Sequence, residues 1–425
     1  MNILVHAYQL SPYRGSEHSV AWNYLMEMGK EHSITVLYGD NGNHMGVFDP
    51  VEDYVRLIGE RQITFIPVPC EFFTNLLNTL NRHGICYYSF YFAYNLWERT
   101  ALKYAKELVK ENDYDLIHFL GPIGFREPGY LWTLPIPYLW GPVNGFTNYK
   151  AFLLSKASFP GKIRFTFRSI VNTIQQSCSF RVRRALKRAD RIISATTETQ
   201  QTLLKKYGVE STYIPENGIN SIISHDCLVA KHKRNDVFNM IWIGRIDDGK
   251  ALWFLLDALT LIPKNTEWKL MVLGDGPQKT RMMELAQKNN IDERILWTGN
   301  IARSQVQQYI DKAHCHIITS LMEANTTVIW ETMSRGVPTI SFDHCGMHDT
   351  VCKKCGILIP LFNTGQIVHD LANAIQILID DRDLANKLSF GCLECSKKYT
   401  QNIRHKFFNQ QYKIAIEHFN RKTRG

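Results

Sequence analysis

Short apolar runs alternate with segments of helical spacing along nearly the whole chain, and they do so in two successive series. In the first half the runs are Ile3–Ala7, Ile34–Tyr38, Ile63–Val68, Leu116–Leu120, Pro137–Trp140 and Arg191–Ala195. The second series is Phe238–Ile243, Trp268–Leu273, Ile295–Thr298, Cys315–Ser320, Pro338–Ser341 and Gly356–Ile359. Strands separated by helices do not pair as hairpins; they pair in parallel, each helix serving as the crossover. At 425 residues the chain exceeds a single core, and each half is long enough for its own sheet. The two series part at Pro215-Glu216-Asn217-Gly218 and a polar run through Asn235. The expected fold class is therefore α/β, with two doubly wound parallel-sheet domains over 1–217 and 218–400. The last segment, 401–425, is expected to be a separate helix, its periodicity running from Asn402 to Arg421.

In open parallel sheets, ligands bind where loops leave the carboxyl ends of the strands. Four such loops carry suggestive chemistry. After Cys315–Ser320 come Glu323 and Glu331, eight residues apart, with Ala324-Asn325-Thr326-Thr327 between them at a helix start. Carboxylates there can accept from paired sugar hydroxyls, and bare helix-start amides can meet phosphate. After Phe238–Ile243 the loop Gly244-Arg245-Ile246-Asp247-Asp248-Gly249-Lys250 sets two cations five residues apart. They suit a diphosphate clamp, or else are an ordinary surface turn. After Trp268–Leu273, Gly274-Asp275-Gly276-Pro277 is a glycine turn that lets a ligand near the backbone. It lacks the lysine and hydroxyl residue of a P-loop and the full dinucleotide fingerprint, which weakens kinase and dehydrogenase readings. Arg14-Gly15-Ser16-Glu17 feeds a helical pattern from His18 to Lys30, another possible anion site. His118 closes a strand ahead of Gly121-Pro122, where an imidazole is either structural or aimed at the same edge.

The net charge of +9 is unevenly placed. No Asp or Glu occurs from Pro128 to Ala189, whereas Lys150, Lys156, Lys162, Arg164, Arg168, Arg181, Arg183, Arg184, Lys187 and Arg188 crowd its second part. Such a surface attracts anionic lipid, a phosphorylated substrate or nucleic acid, or is simply solvated. No nucleic-acid-binding motif accompanies it. Between Glu71 and Trp97 aromatics cluster: Phe72, Phe73, Tyr87, Tyr88, Phe90, Tyr91, Phe92, Tyr94 and Trp97. They make either a helix buried all round or an interfacial element that meets lipid. Cys352-x2-Cys355 and Cys392-x2-Cys395 invite a zinc reading. The 36 residues between the pairs exceed ribbon spacing and the second pair is helical, so thiols without metal are preferred. No apolar stretch nears the roughly 20 residues that span a bilayer, and no secretory leader is evident. Ten cysteines in a chain this long fit a reducing compartment. The expected location is cytoplasmic.

Taken together, these motifs resemble the family 4 glycosyltransferases, retaining enzymes of the GT-B fold. The resemblance rests on Glu323 and Glu331, on Gly244, Arg245 and Lys250, and on Gly274 and Gly276. Weaker support comes from Pro215-Glu216-Asn217-Gly218-Ile219, Trp297-Thr298-Gly299-Asn300-Ile301 and the Gly15 loop. Gly121-Pro122-Ile123-Gly124-Phe125-Arg126 and Trp140-Gly141-Pro142-Val143-Asn144-Gly145 are similar to a bacterial subgroup that builds surface polysaccharides.

The resemblance implies two Rossmann-like domains facing across a cleft, with the C-terminal helix crossing back to the first. It implies transfer of a sugar from a nucleotide-diphosphate donor to a saccharide hydroxyl, in capsule, O-antigen or exopolysaccharide synthesis. Arg245 and Lys250 would hold the diphosphate, Glu331 the ribose and Glu323 the donor sugar. Asn300 and Ile301 would meet the base, Gly15 and Ser16 the phosphates, and His118 the sugar pocket; Asn325, Thr326 and Thr327 complete the donor set. No cofactor and no active-site metal are expected, since the cations take the leaving-group charge and neither Asp-x-Asp, Asp113-Tyr114-Asp115 nor Asp381-Arg382-Asp383, sits at a strand end. The first domain is expected to bind the acceptor and the second the nucleotide sugar; the acceptor is expected to be lipid-linked, at an anionic cytoplasmic membrane face, with no nucleic acid involved. The loop after Glu323 departs from the family's glycine-containing pattern, and Glu216 interrupts its Pro-Asn-Gly order. A nucleotide-sugar epimerase and a non-catalytic carbohydrate- or lipid-binding homologue are the alternatives.

Overall fold

The structure is a computed structural model that describes residues 1–15, 17–40, 49–83, 85–86, 89–232 and 237–424. Ser16, Tyr87, Tyr88 and the end of the polar run, 233–235, lie outside them. Two compact units emerge: 1–146 with 174–217 and 401–425, and 147–173 with 218–400.

The first unit is built on seven parallel strands: β1 (Asn2–Ala7), β2 (Ser33–Gly39), β3 (Ile63–Val68), β4 (Leu116–Gly121), β5 (Tyr138–Val143), β6 (Arg191–Ser194) and β7 (Thr212–Tyr213). Their order is β3-β2-β1-β4-β5-β6-β7. The second unit has six: β8 (Phe238–Ile243), β9 (Trp268–Leu273), β10 (Ile295–Gly299), β11 (Cys315–Ile318), β12 (Thr339–Phe342) and β13 (Gly356–Ile359), in the order β10-β9-β8-β11-β12-β13. Every pairing is parallel. The strand order thus reverses between β1 and β4, and again between β8 and β11. The twelve expected strands are present, and β7, with only two residues, escaped the reading because it has no apolar run to show.

Residues 147–173 were expected in the first domain but pack with the second unit. Leu153, Leu154, Ala157 and Phe165 share a core with Trp242, Ile246 and Trp253. The Asp248 carboxylate accepts from the Ser158 backbone N–H at 2.9 Å and from its hydroxyl, so the segment is tied to the loop after β8. Lys156 pairs with Asp257 from the same side. Burial of these apolar side chains outweighs sequence proximity to the first sheet.

The helix Gln401–Arg424 belongs to the first unit, where Phe408, Tyr412 and Ala415 are buried with β1 and β2 side chains. Its buried Arg404 donates to the carbonyls of Glu216 (2.8 Å), Asn217 (3.4 Å) and Pro215. A guanidinium with its donors fitted to three carbonyls is a tolerable buried charge.

Among the aromatics, the expectation of a helix buried all round is corrected. In the helix Ser89–Glu111, Ala93, Tyr94 and Trp97 are buried but Phe92 is exposed; in the helix Phe72–Arg82, Phe72, Phe73, Leu76 and Leu80 are exposed. Charged and polar residues past Trp97 complete an amphipathic pattern that the charge-free stretch had hidden.

His118 is also corrected. It sits inside β4 with no exposure; Nε2–H donates to the Gly141 carbonyl (2.8 Å), and Nδ1 faces the hydroxyls of Tyr412 (2.9 Å) and Tyr24 (3.1 Å). The parallel register puts it opposite Val5 and Leu139, in mid-sheet, so it does not reach a sugar pocket at the strand end. Burial lowers its pKa to about 4, with the Gly141 bond opposing and Arg404 assisting. An unfolded chain titrates this histidine near 6.5 and so binds more protons than the native one between those values. Stability is complete above that window and falls as pH drops through it, by roughly 3 kcal/mol at most for a shift of this size. The first unit's melting temperature should fall from neutrality to pH 4, and His118→Asn should flatten that slope while lowering the neutral value.

Candidate donor-binding site

The reversal between β8 and β11 leaves a gap at the carboxyl edge of the second sheet, and the loops after those strands meet there. Trp242 of β8 is buried, and its Nε1–H donates to Thr319 Oγ1 (3.1 Å). Thr319 in turn donates to the Lys250 carbonyl (2.7 Å), and Leu321 N–H donates to the Gly249 carbonyl (2.8 Å). The Asp247 carboxylate accepts from the amides of Gly249 (2.9 Å) and Lys250 (3.0 Å), which folds the loop into a tight turn. Lys250 Nζ is thereby brought to Glu323 Oε2 as a partly buried ion pair.

Arg245 stays at the surface, its side chain 72% exposed, with only a long contact (3.8 Å) to Asp247. It is the available cation of the loop. Gly244, Arg245, Gly274, Asp275, Gly276, Gly299, Asn300 and Ile301 line one cavity of about 560 Å³, within the range of small-ligand sites. The glycines do more than admit a ligand. A Cβ on Gly274 would lie 1.9 Å from the Gly244 carbonyl oxygen, and one on Gly276 would lie 2.4 Å from that of Ile246. Gly244 N–H donates to Leu273 O (3.0 Å) and Ile246 N–H to Asp275 O (2.9 Å). The two loops are laced together at a distance only glycine permits.

Beyond Glu323 the chain turns into the helix Thr327–Met333, which carries Glu331. Glu331 pairs with Arg303 at 3.1 Å. Burial raises the Glu331 carboxyl above its ordinary value, and Arg303 partly offsets this. Thr326 and Thr327 are half-buried where this helix begins. Asn325 turns inward, buried, and its Oδ1 accepts from Thr350 Oγ1 (3.2 Å); packing of the loop on the helix Cys345–Thr350 holds it there, so it is a loop brace and not an exposed donor ligand. Gly15, in the first unit, is exposed, at the loop before the helix Glu17–Met28.

Sequence reading missed three neighbours. Arg303 lies two residues past Ile301, and that proximity was the available signal. His344 follows β12, and its ring shares a hydrogen bond with the Ser320 carbonyl (3.0 Å); burial lowers its pKa to about 4, and Lys150 and Glu323 are near enough to act on it. Tyr149 sits over Phe165 (ring centroids 4.4 Å apart) within the electrostatic reach of Glu323 and Asp247. Its part depends on the reassignment of 147–173 and left no signal in the sequence.

Comparison with known proteins follows from this geometry. Residues 228–390 match the family described as glycosyl transferases group 1. Over its whole length the structure is similar to the sucrose-phosphate synthase of Thermosynechococcus elongatus (TM-score 0.66, 18% identity, 97% of this chain and 98% of that one). It is also similar to Anabaena Alr3699/HepE in complex with UDP and glucose (TM-score 0.59, 14% identity, 96% and 98%). The fold is GT-B. In sequence, the chain is 26% identical over 241 residues to the lipopolysaccharide 1,6-galactosyltransferase of Escherichia coli K12, covering 55% of this chain and 63% of that protein. The curated relatives matched first are spanned over about one third to under two thirds of their own length.

The brace on the Glu323 loop is testable. Gly346 N–H donates to the Glu323 carbonyl (3.1 Å), and a Cβ on Gly346 would lie 1.2 Å from the Ala324 oxygen. Gly346→Ala should lower the unfolding free energy by about 1–3 kcal/mol in denaturant titration. Gly365→Ala, whose Cβ would meet nothing closer than 3.4 Å, should leave it within about 0.5 kcal/mol.

Proposed function

We propose that this protein is a retaining glycosyltransferase that moves a sugar from a nucleotide-diphosphate donor to a saccharide hydroxyl in surface polysaccharide or glycolipid synthesis. The observation that carries the reading is the Lys250–Glu323 pair at the strand reversal, beside a glycine-walled cavity with Arg245 at its mouth. The diphosphate lies against Arg245 and Lys250, which take up negative charge as the sugar leaves. Glu323 accepts from sugar hydroxyls, Glu331 from the ribose, and Asn300 with Ile301 meets the base. These cations perform the task a metal performs elsewhere, and the departing phosphate receives the acceptor's proton on the face from which it leaves. UDP in the Anabaena neighbour and lipopolysaccharide in the name of the Escherichia coli relative support a nucleotide-sugar donor and a lipid-linked acceptor.

The acceptor side is an anionic membrane surface in this reading. On the helix Phe159–Cys178, Phe159, Ile163, Phe167, Ile170 and Ile174 are exposed at spacings that share one face, among Lys162, Arg164 and Arg168. With no acidic residue from 128 to 189, this face suits anionic headgroups with its apolar stripe at the acyl boundary. Among the described residues no helix is long and apolar enough to cross a membrane; the attachment proposed is peripheral. Phe159→Ser with Phe167→Ser should abolish flotation with phosphatidylglycerol-containing vesicles and spare turnover of a detergent-free soluble acceptor. Retained flotation would sink the membrane assignment.

A thermal-shift panel of UDP, GDP, ADP and CMP with their sugar conjugates tests the donor site. A ligand at about 100 times its Kd should stabilise by roughly 2.7 kcal/mol, a shift of a few degrees. The shift should shrink in Lys250→Ala and Glu331→Gln. Because the Glu331 carboxyl is raised, wild-type affinity should weaken on acidification before an ordinary carboxylate would protonate, and Glu331→Gln should lose that dependence. Arg245→Ala should cut turnover far more than threefold. A flat panel in which Glu323→Gln behaves as wild type would identify a non-catalytic binding protein instead.

A further inference from the structure

The two Cys-x2-Cys pairs, too far apart in sequence for a zinc ribbon, are brought together by the second unit. Cys352 Sγ lies 3.7 Å from Cys355 Sγ and 3.6 Å from Cys395 Sγ, and all three sulfurs fall within 4.8 Å of one another. All are free thiols, far beyond the roughly 2.05 Å of a disulfide. A tetrahedral Zn²⁺ with Zn–S bonds of about 2.3 Å sets its thiolates about 3.8 Å apart, the spacing seen here. We propose that Cys352, Cys355 and Cys395 form a trithiolate Zn²⁺ site, with its fourth position open to solvent beside the exposed Cys352.

The surroundings are built for it. The amides of Cys355 (2.9 Å) and Gly356 (3.0 Å) both donate to the Cys352 carbonyl, and the Cys352 N–H points at Cys355 Sγ (3.4 Å). This is a tight turn with both sulfurs on one side. On the facing helix Arg382–Ser396, a Cβ at Gly391 would lie 1.8 Å from the Lys354 carbonyl oxygen. Only glycine lets the turn settle against that helix, and Cys395, one turn further on, then reaches it. Cys392, the remaining member, is committed elsewhere: its thiol donates to the Cys355 carbonyl (3.4 Å) and steadies the turn from below. Cys355, Cys392 and Cys395 are buried beside Trp330, Met347 and Val351, so only the Cys352 side is open. Soft thiolates select Zn²⁺ or Cu⁺ over Mg²⁺ or Ca²⁺, and binding releases the thiol protons.

A bound ion would clamp the turn after the helix Cys345–Thr350 to the helix Arg382–Ser396. It would do so behind Trp330, whose own helix carries Glu331. This role is separate from donor chemistry and survives if the glycosyltransferase reading fails.

Full-length protein incubated with excess Zn²⁺ under reducing conditions, then desalted, is assayed for metal by mass spectrometry; Co²⁺ replacement is followed by absorption. About one zinc per chain is expected, with the sulfur-to-cobalt charge-transfer band of a tetrahedral thiolate site. Cys352→Ser and Cys395→Ser should lose both, whereas Cys86→Ser, an exposed cysteine of the other unit, keeps them. Cys352→Ser changes only a surface side chain, and its circular dichroism and chelator-insensitive melting should show a folded protein. A strong chelator should lower the melting temperature of wild type and of Cys86→Ser, and leave that of Cys352→Ser and Cys395→Ser unchanged. Failure to retain zinc, equal binding by the serine variants, preferential copper, or recovery of these sulfurs as a disulfide from freshly reduced protein would each overturn the assignment.

Discussion

The second unit depends on the reversal of strand order between β8 and β11. Crossovers wind one way from β8 to β10 and the other way from β11 to β13, so no helix covers the carboxyl ends where the windings part. The loops that enter that gap must satisfy one another. Trp242, Thr319 and the Lys250 carbonyl form a short relay of hydrogen bonds across it, and the Lys250–Glu323 pair closes it above. Among the described residues of the first unit, a slot of about one water's size lies beside Glu17, Gly121 and Pro122, where the same reversal falls. In the second unit the loops after β8 and β9 are drawn together backbone to backbone, and the cavity wall is main chain and glycine.

Close approach of main chains is the recurring device. Gly274 and Gly276 lie against the loop after β8, Gly346 against the Glu323 loop, and Gly391 against the cysteine turn. In each case a single Cβ would collide with a carbonyl oxygen, so the substitution least visible in composition is the one with the largest geometric effect. Such contacts replace side-chain packing with backbone hydrogen bonds, which keeps the loops rigid while leaving Arg245 and the cavity wall accessible. The ion pairs are arranged to the same end: Lys250 and Glu331 are each matched by an opposite charge, and Arg245 is left largely exposed.

Legibility differed by kind of feature. The strands of both sheets were readable because fully buried parallel strands are continuous apolar runs bounded by turns. Arg245, Lys250 and Glu323 lie a few residues beyond such a run, and Glu331 on the helix that follows, so the fold class alone places their loops at a sheet edge. His118 met the same criterion and yet is buried, since the strand extends past it to Gly121 and the register, not the spacing, sets its depth. The segment 147–173 was misassigned for a related reason: its apolar residues declare that it is buried, but not against which sheet.

By itself the sequence determined the α/β class, the two series of strands and the loops that carry charge, since periodicity and turn chemistry are local properties. Tertiary structure alone decided which charges meet: Lys250 with Glu323 across 73 residues, Glu331 with Arg303, and three cysteines across 43. It also decided which residues are withdrawn, His118 and Asn325 among them. Contact over such separations is set by strand order and by the few glycines that let backbones touch, and neither property is written in the spacing of the residues that come together.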